Sequence, residues 1–131
     1  MIPLRRVFVL NRIELVLCDS ITQVTDDDAG RIVVSGSHGG SSSAYFAAEV
    51  PAMLYVFNDA GFGKDGAGIA GLKLLSEAGI AAVSVSHDSA RIGEAEDSLA
   101  NGIVSMCNRE AHALGLRTGE ALTEALFRLT E

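Results

Sequence analysis

Two of the three histidines, His38 and His87, stand among residues suited to proton transfer or anion binding. His87 opens the run His87-Asp88-Ser89-Ala90-Arg91. It offers an imidazole, the side chain usually chosen for proton transfer, and Arg91 offers a guanidinium able to hold a carboxylate or phosphate by two parallel bonds. His38 lies within Ser35-Gly36-Ser37-His38-Gly39-Gly40. Glycines there permit close backbone approach, so the amides of Gly39 and Gly40 could converge on a developing oxyanion. Ser37 is a candidate nucleophile, although Ser35 takes the first glycine position of a G-x-S-x-G elbow. The plainer reading of the same residues is a capped glycine turn.

A third group, Asn58-Asp59-Ala60-Gly61-Phe62-Gly63-Lys64-Asp65-Gly66, adds an amide, a carboxylate able to orient a histidine, and an ammonium. Taken together, the three groups suit acid–base or nucleophilic, hydrolase-like chemistry on a small anionic substrate. Ser37, His38, Asp59 and His87 are the candidate catalytic residues. Gly39, Gly40, Asn58, Lys64, Ser89 and Arg91 are the candidate substrate contacts.

Other readings compete. Gly61, Gly63 and Gly66 spell G-x-G-x-x-G, with Asp88 further on, which is the pattern of a nucleotide-binding domain. Asn58 and Asp59 intervene before its first glycine, however, and Lys64 and Asp65 crowd the turn. No Ser or Thr follows Lys64, so it is no Walker loop. Lys64 and Asp65 also read as a solvated surface pair. His38, His87, Asp59 and Asp88 are of metal-ligand type but form no short ligand motif, so no metal site is assigned, and no pattern identifies a cofactor. Glu94, Glu96 and Asp97 suit the positive start of a helix, and His112 reads as a structural or surface residue.

These residues need elements to hold them. Strands are predicted at Val7 to Leu10, Leu15 to Cys18, Arg31 to Ser35, Ala52 to Phe57 and Ile80 to Ser86. Helices are predicted at Ser41 to Glu49, closed by Pro51, and near Gly66 to Ala78. A long helix from about Glu94 to Leu114 follows, on the spacing of Leu99, Ile103, Met106 or Cys107, and Leu114, and a last one starts near Thr118. The alternation gives one α/β domain over 1–131, a three-layer sandwich with a mostly parallel sheet of about four to five strands and flanking helices.

In such a sheet, ligands bind beyond the carboxyl ends of the strands. The residues after the predicted strands are Asp19-Ser20, Ser37-His38, Asn58-Asp59 and His87-Asp88-Ser89. The opposite joints, Glu49-Val50-Pro51 and Ala78-Gly79-Ile80, are bland. That asymmetry is the main functional signal of the sequence.

Composition narrows the partners. The 131 residues include 10 Lys and Arg against 17 Asp and Glu, with 5% aromatic residues, which argues against nucleic acid. The apolar runs fall far short of the roughly 20 residues of a membrane span. Arg5 and Arg6 before Val7 to Leu10 faintly resemble a signal start, broken by Asn11, Arg12 and Glu14. Cys18 and Cys107 lack C-x-x-C spacing and read as free thiols of a reducing cytoplasm. Mean hydropathy is positive, so a homo-oligomer is expected. A ligand-binding accessory subunit and a structural assembly protein are the non-catalytic alternatives.

Overall fold

The computed structural model describes residues 3–131. The chain opens with a hairpin of β1 (Arg5–Leu10) and β2 (Ile13–Cys18), turned by Asn11 and Arg12 at φ 48° and 75°. Positive φ at both positions matches the right-handed twist of paired strands. There follow β3 (Ile32–His38), α1 (Ser41–Ala48), β4 (Leu54–Asn58), α2 (Ala70–Glu77), β5 (Ala82–Val85), α3 (Ala95–Asn101), β6 (Val104–Cys107), α4 (Arg109–Ala113) and α5 (Leu122–Leu129). The six strands lie in sequential order in one sheet. Strands β2 to β5 are parallel, and the edge strands β1 and β6 pair antiparallel.

The parallel strands are runs of buried β-branched and apolar residues, as strands covered on both faces require. Their side chains alternate between two cores. Leu15, Leu17, Val34, Val56, Val83 and Val85 share one core with Leu122 and Leu126 of α5. Val16, Val33, Tyr55, Phe57 and Ala82 share the other with Ala44 and Ala47 of α1 and Leu72 and Leu75 of α2. The result is the expected three-layer α/β sandwich, with six strands.

The long helix over Glu94 to Leu114 does not form. Helix α3 ends at Asn101, β6 intervenes, and α4 begins after Asn108. Gly102 has an extended backbone, φ −61° and ψ 135°, and a side chain there would lie 2.3 Å from the Ser98 carbonyl oxygen. The helical spacing of Leu99 and Met106 is a coincidence of two elements: Leu99 packs on the first core and Met106 on the second. Cys107 is accordingly a strand residue.

Three boundaries also move. Strand β3 continues past Ser35 to His38. A 3-10 turn, Lys64–Gly66, precedes α2, which opens only at Ala70. The last helix opens at Leu122 because Ala121 still bridges Ile103.

The connections make the cleft. After β4 the chain passes to the α2 face, whereas after β5 it passes to the face of α3 and α5. Loops that diverge to opposite faces leave a crevice between neighbouring strand ends. The segment from His87 to Glu94 then crosses the carboxyl edge back toward β3 and β2. Asn58 Nδ2 donates to the Ala90 carbonyl at 2.9 Å, the Gly93 amide to the Gly36 carbonyl at 2.6 Å, and the Ala95 amide to Asp19 Oδ1 at 3.0 Å. Gly36 must be glycine, because a Cβ there would lie 2.5 Å from Gly93 backbone carbon. No helix among the described residues is long and apolar enough to cross a membrane.

Candidate functional site

Asp59 follows β4 and is buried, with 2% of its side chain exposed, yet it makes no bond to an arginine or lysine among the described residues. Its Oδ1 accepts the amides of Gly61 at 2.8 Å and His87 at 3.0 Å. The His87 ring lies beside the same oxygen, with Nδ1 at 3.4 Å. Burial pushes the Asp59 carboxyl up, but the Ser105 hydroxyl, the Gly61 and His87 amides and the His87 ring together hold it below the usual carboxylate range.

His87 itself is 53% exposed. Its other nitrogen, Nε2, lies 3.2 Å from Oδ1 of Asp88, whose carboxylate is 87% exposed. Each ring nitrogen thus stands beside a carboxylate, Nδ1 beside buried Asp59 and Nε2 beside exposed Asp88, an arrangement that favours a ring able to take up and release a proton. The exposed Asp88 carboxylate is then placed to hold the imidazolium once a proton arrives.

The ring opens into a cleft of about 530 Å³ lined by Asn58, Ala60, His87, Arg91, Ile92 and Glu94. Arg91 has 82% of its side chain exposed and only a long contact, 3.9 Å, to Glu94, so its guanidinium is available to an anion. Ile92 is 52% exposed and Ala60 is exposed beside it, an apolar floor among polar groups. The loop after Asp59 is backbone-strained: Ala60 and Phe62 have φ of 50° and 66°, a left-handed conformation that costs a side-chain-bearing residue roughly 1 kcal/mol or more. Strain of this kind persists where surrounding structure enforces it.

Several sequence-predicted site residues serve the scaffold instead. Ser37 lies on β3, not on a turn, and its Oγ accepts the Ile21 amide at 2.9 Å. No histidine or carboxylate hydrogen-bonds to it among the described residues, so it lacks the base a nucleophile requires. Nδ1 of His38 accepts the Gly40 amide at 3.1 Å, which leaves the neutral ring with its proton on Nε2 and no free lone pair. The Gly39 amide donates to the Asn58 carbonyl at 3.0 Å. Both amides of the expected oxyanion site are therefore spent.

Ser89 donates to the Ser86 carbonyl and accepts the Ile103 amide, tying the crossing segment to the residue just before β6. Asn58 is buried at the cleft's base, its Oδ1 accepting the Ala60 amide and its Nδ2 donating to the Ala90 carbonyl, so it shapes the cleft. Lys64 stands exposed on the 3-10 turn and does not line the cleft. The glycines Gly61, Gly63 and Gly66 all take positive φ, but the helix that should receive a pyrophosphate begins beyond them at Ala70. His112 is exposed on α4.

Asp59, His87, Asn58 and Arg91 are thus brought together. Ala60, Ile92 and Glu94 join them as lining, and Ser105 of β6, within the span where the residue spacing predicts a helix, acts on the Asp59 carboxyl. Among the described residues no group of three or more His, Cys, Asp or Glu side chains is placed to hold a metal ion. Burial pushes the Cys18 thiol up to about 12, so it is no nucleophile. A second cleft of about 410 Å³, lined by Phe8, Leu15, Leu99 and Leu126, is apolar, with only Arg6 and Glu96 as charged lining. Comparison with family models, curated proteins and solved structures finds no match.

Proposed function

We propose that the chain is a small-molecule enzyme that performs acid–base chemistry on a small anionic substrate at the carboxyl edge of its sheet. His87 exchanges the proton, Asp59 orients the ring and steadies the imidazolium, and Arg91 holds the anion. Ile92 and Ala60 receive an apolar part of the substrate. The observation that carries this reading is the pairing of an exposed histidine with a buried carboxylate, at the mouth of a cleft that also presents an unsaturated guanidinium. A proton acceptor, a carboxylate behind it and an anion clamp are the parts such chemistry needs.

The test is thermal denaturation with a panel of phosphates and short carboxylates. A ligand at a hundred times its Kd stabilises a fold by about 2.7 kcal/mol. The wild type is expected to melt higher with at least one of them, and Arg91→Ala to lose that gain. His87→Ala should retain binding and lose turnover of the stabilising compound. A ligand that binds without being turned over by the wild type would instead support the accessory-subunit reading. No stabilisation across the panel would overturn both.

We also propose a homo-oligomer in a reducing cytoplasm. Exposed Val9, Tyr45 and Phe46 support the first part, and the free thiols Cys18 and Cys107 the second. A monomeric mass in sedimentation at micromolar concentration would contradict the oligomer.

A further inference from the structure

We infer that Ser105 is a positioning residue for the acid–base pair: a bulge turns its hydroxyl toward Asp59, Ser84 backs it, and the two serines fix the carboxylate against which His87 carries its proton. This rests on the reading of His87 and Asp59 as that pair.

The geometry begins with register. In the pairing of β5 with β6, Ser84 faces Met106 and Val85 faces Val104, which leaves Ser105 as an extra residue with no partner. A bulge of this kind re-aims one side chain. Without it, Val104 and Met106 would share one face of the sheet, and Ser105 and Cys107 the other. Instead Val104 and Cys107 pack with the α5-side core, and Met106 with the α2-side core. Ser84 lies between Val83 and Val85, both in the α5-side core, so its side chain projects to the α2 side. Ser105 meets it there, Oγ to Oγ at 2.8 Å. The bulge has moved Ser105 across the sheet.

Asp59 comes to the same place. Tyr55 and Phe57 of β4 face the α2 side, so alternation carries Asp59 to that side as well. Its amide donates to the Val85 carbonyl at 2.9 Å, which seats it against the residue opposite the bulge. The Ser105 hydroxyl acts with the Gly61 and His87 amides to hold the Asp59 carboxyl below the usual carboxylate range.

The chemistry sets the direction of the chain of bonds. An ionised carboxylate only accepts, so a Ser105 hydroxyl serving Asp59 does so as donor, and its bond with Ser84 then runs from the Ser84 hydroxyl. Ser84 is fully buried, and a buried hydroxyl is costly unless bonded. An apolar pair would fill these positions at no such cost, so the serines have a use beyond packing. The charged groups around His87 are Asp59 behind it, Asp88 beside it, and Arg91 and Glu94 across the cleft. Ser84 and Ser105 steady the first of these without adding charge.

The experiment is nuclear magnetic resonance titration of the His87 ring in the full chain, for the wild type, Asp59→Asn, Ser105→Ala, Ser105→Thr and Ser84→Ala. Loss of the Ser105 donor leaves more negative charge facing the ring, so its midpoint in Ser105→Ala should rise by about 0.3 pH unit or more. Ser105→Thr, which keeps the hydroxyl, should restore the wild-type midpoint, and Ser84→Ala should move it in the same direction by less. If Ser105→Ala does not fold, the shift in Ser84→Ala decides. A wild-type midpoint in every folded serine variant overturns the inference, and with Asp59→Asn shifted downward it does so without touching the pair. If Asp59→Asn itself leaves His87 unmoved, the pair fails and the inference with it.

Discussion

Asp28 and Asp59 are both buried carboxylates held below the usual range, and they are built in opposite ways. Asp28 is saturated with fixed charge. Arg5 bonds both of its oxygens at 2.9 and 3.0 Å, Arg31 adds a bond at 2.9 Å, and the Thr25 amide supplies another at 2.9 Å. Guanidiniums do not titrate in the working range, so the groups that hold Asp28 keep their charge around neutrality. Asp59 is held by neutral donors and faces a single titratable group, the half-exposed His87. A buried acid closed off by arginines joins β1, β2 and β3. One left facing a histidine at a cleft can take part in proton transfer.

The difference can be broken most forcefully at Asp28. Asp28→Ala strands two partly buried guanidiniums and should cost about 3 kcal/mol of stability in urea denaturation. Ligand binding at the cleft should persist wherever the variant is folded. His87→Ala should do the reverse, lowering turnover roughly 10²- to 10⁴-fold while its stability stays within about 0.5 kcal/mol of the wild type. Equal losses of stability at the two positions would erase the distinction.

Acidity sharpens it. Each carboxyl has its folded pKa lowered, so each stabilises the fold above the ordinary carboxylate value, and that contribution is lost as pH falls through the folded value. Asp59→Asn should remove its share of that acid-side loss from a pH series of denaturation midpoints, while the share of Asp28 remains. An unchanged acid slope in Asp59→Asn would contradict the lowered carboxyl.

Ser37→Ala is expected to cost about 1 kcal/mol, the value of the bond from the Ile21 amide, and to leave turnover intact. A large fall in turnover would restore Ser37 to the site. The smallest effect belongs to Ala60→Gly, which relieves a left-handed residue and should raise stability by about 1 kcal/mol or less.

The strands of the sheet centre were legible because β2, β3, β4 and β5 are continuous buried apolar runs. Strand β6 was not, since Leu99, Ile103 and Met106 imitate a helical stripe across a glycine. Of the candidate site, Asp59, His87, Asn58 and Arg91 were legible as polar residues placed after strands. The same reading over-counted. Asp19, Ser37 and Ser89 are polar because the segment crossing the carboxyl edge, and the turn at Ile21, need hydrogen-bond partners, and backbone bonding of that kind leaves no mark in residue types. His38 and the glycines beside it looked alike for the same reason, since a spent amide and a free one have one spelling. Ser105 was hidden because a single-residue bulge changes which face it occupies.

The central pairing meets its most direct test in the histidine ring resonances of the wild type during titration with inorganic phosphate and short carboxylates. If His87 is the acid–base group of an anion-binding cleft, its ring signals will shift saturably with a ligand of the panel, those of exposed His112 will stay in place, and Arg91→Ala will abolish the shift. A His87 ring that stays unperturbed while the protein demonstrably binds one of these anions would contradict it.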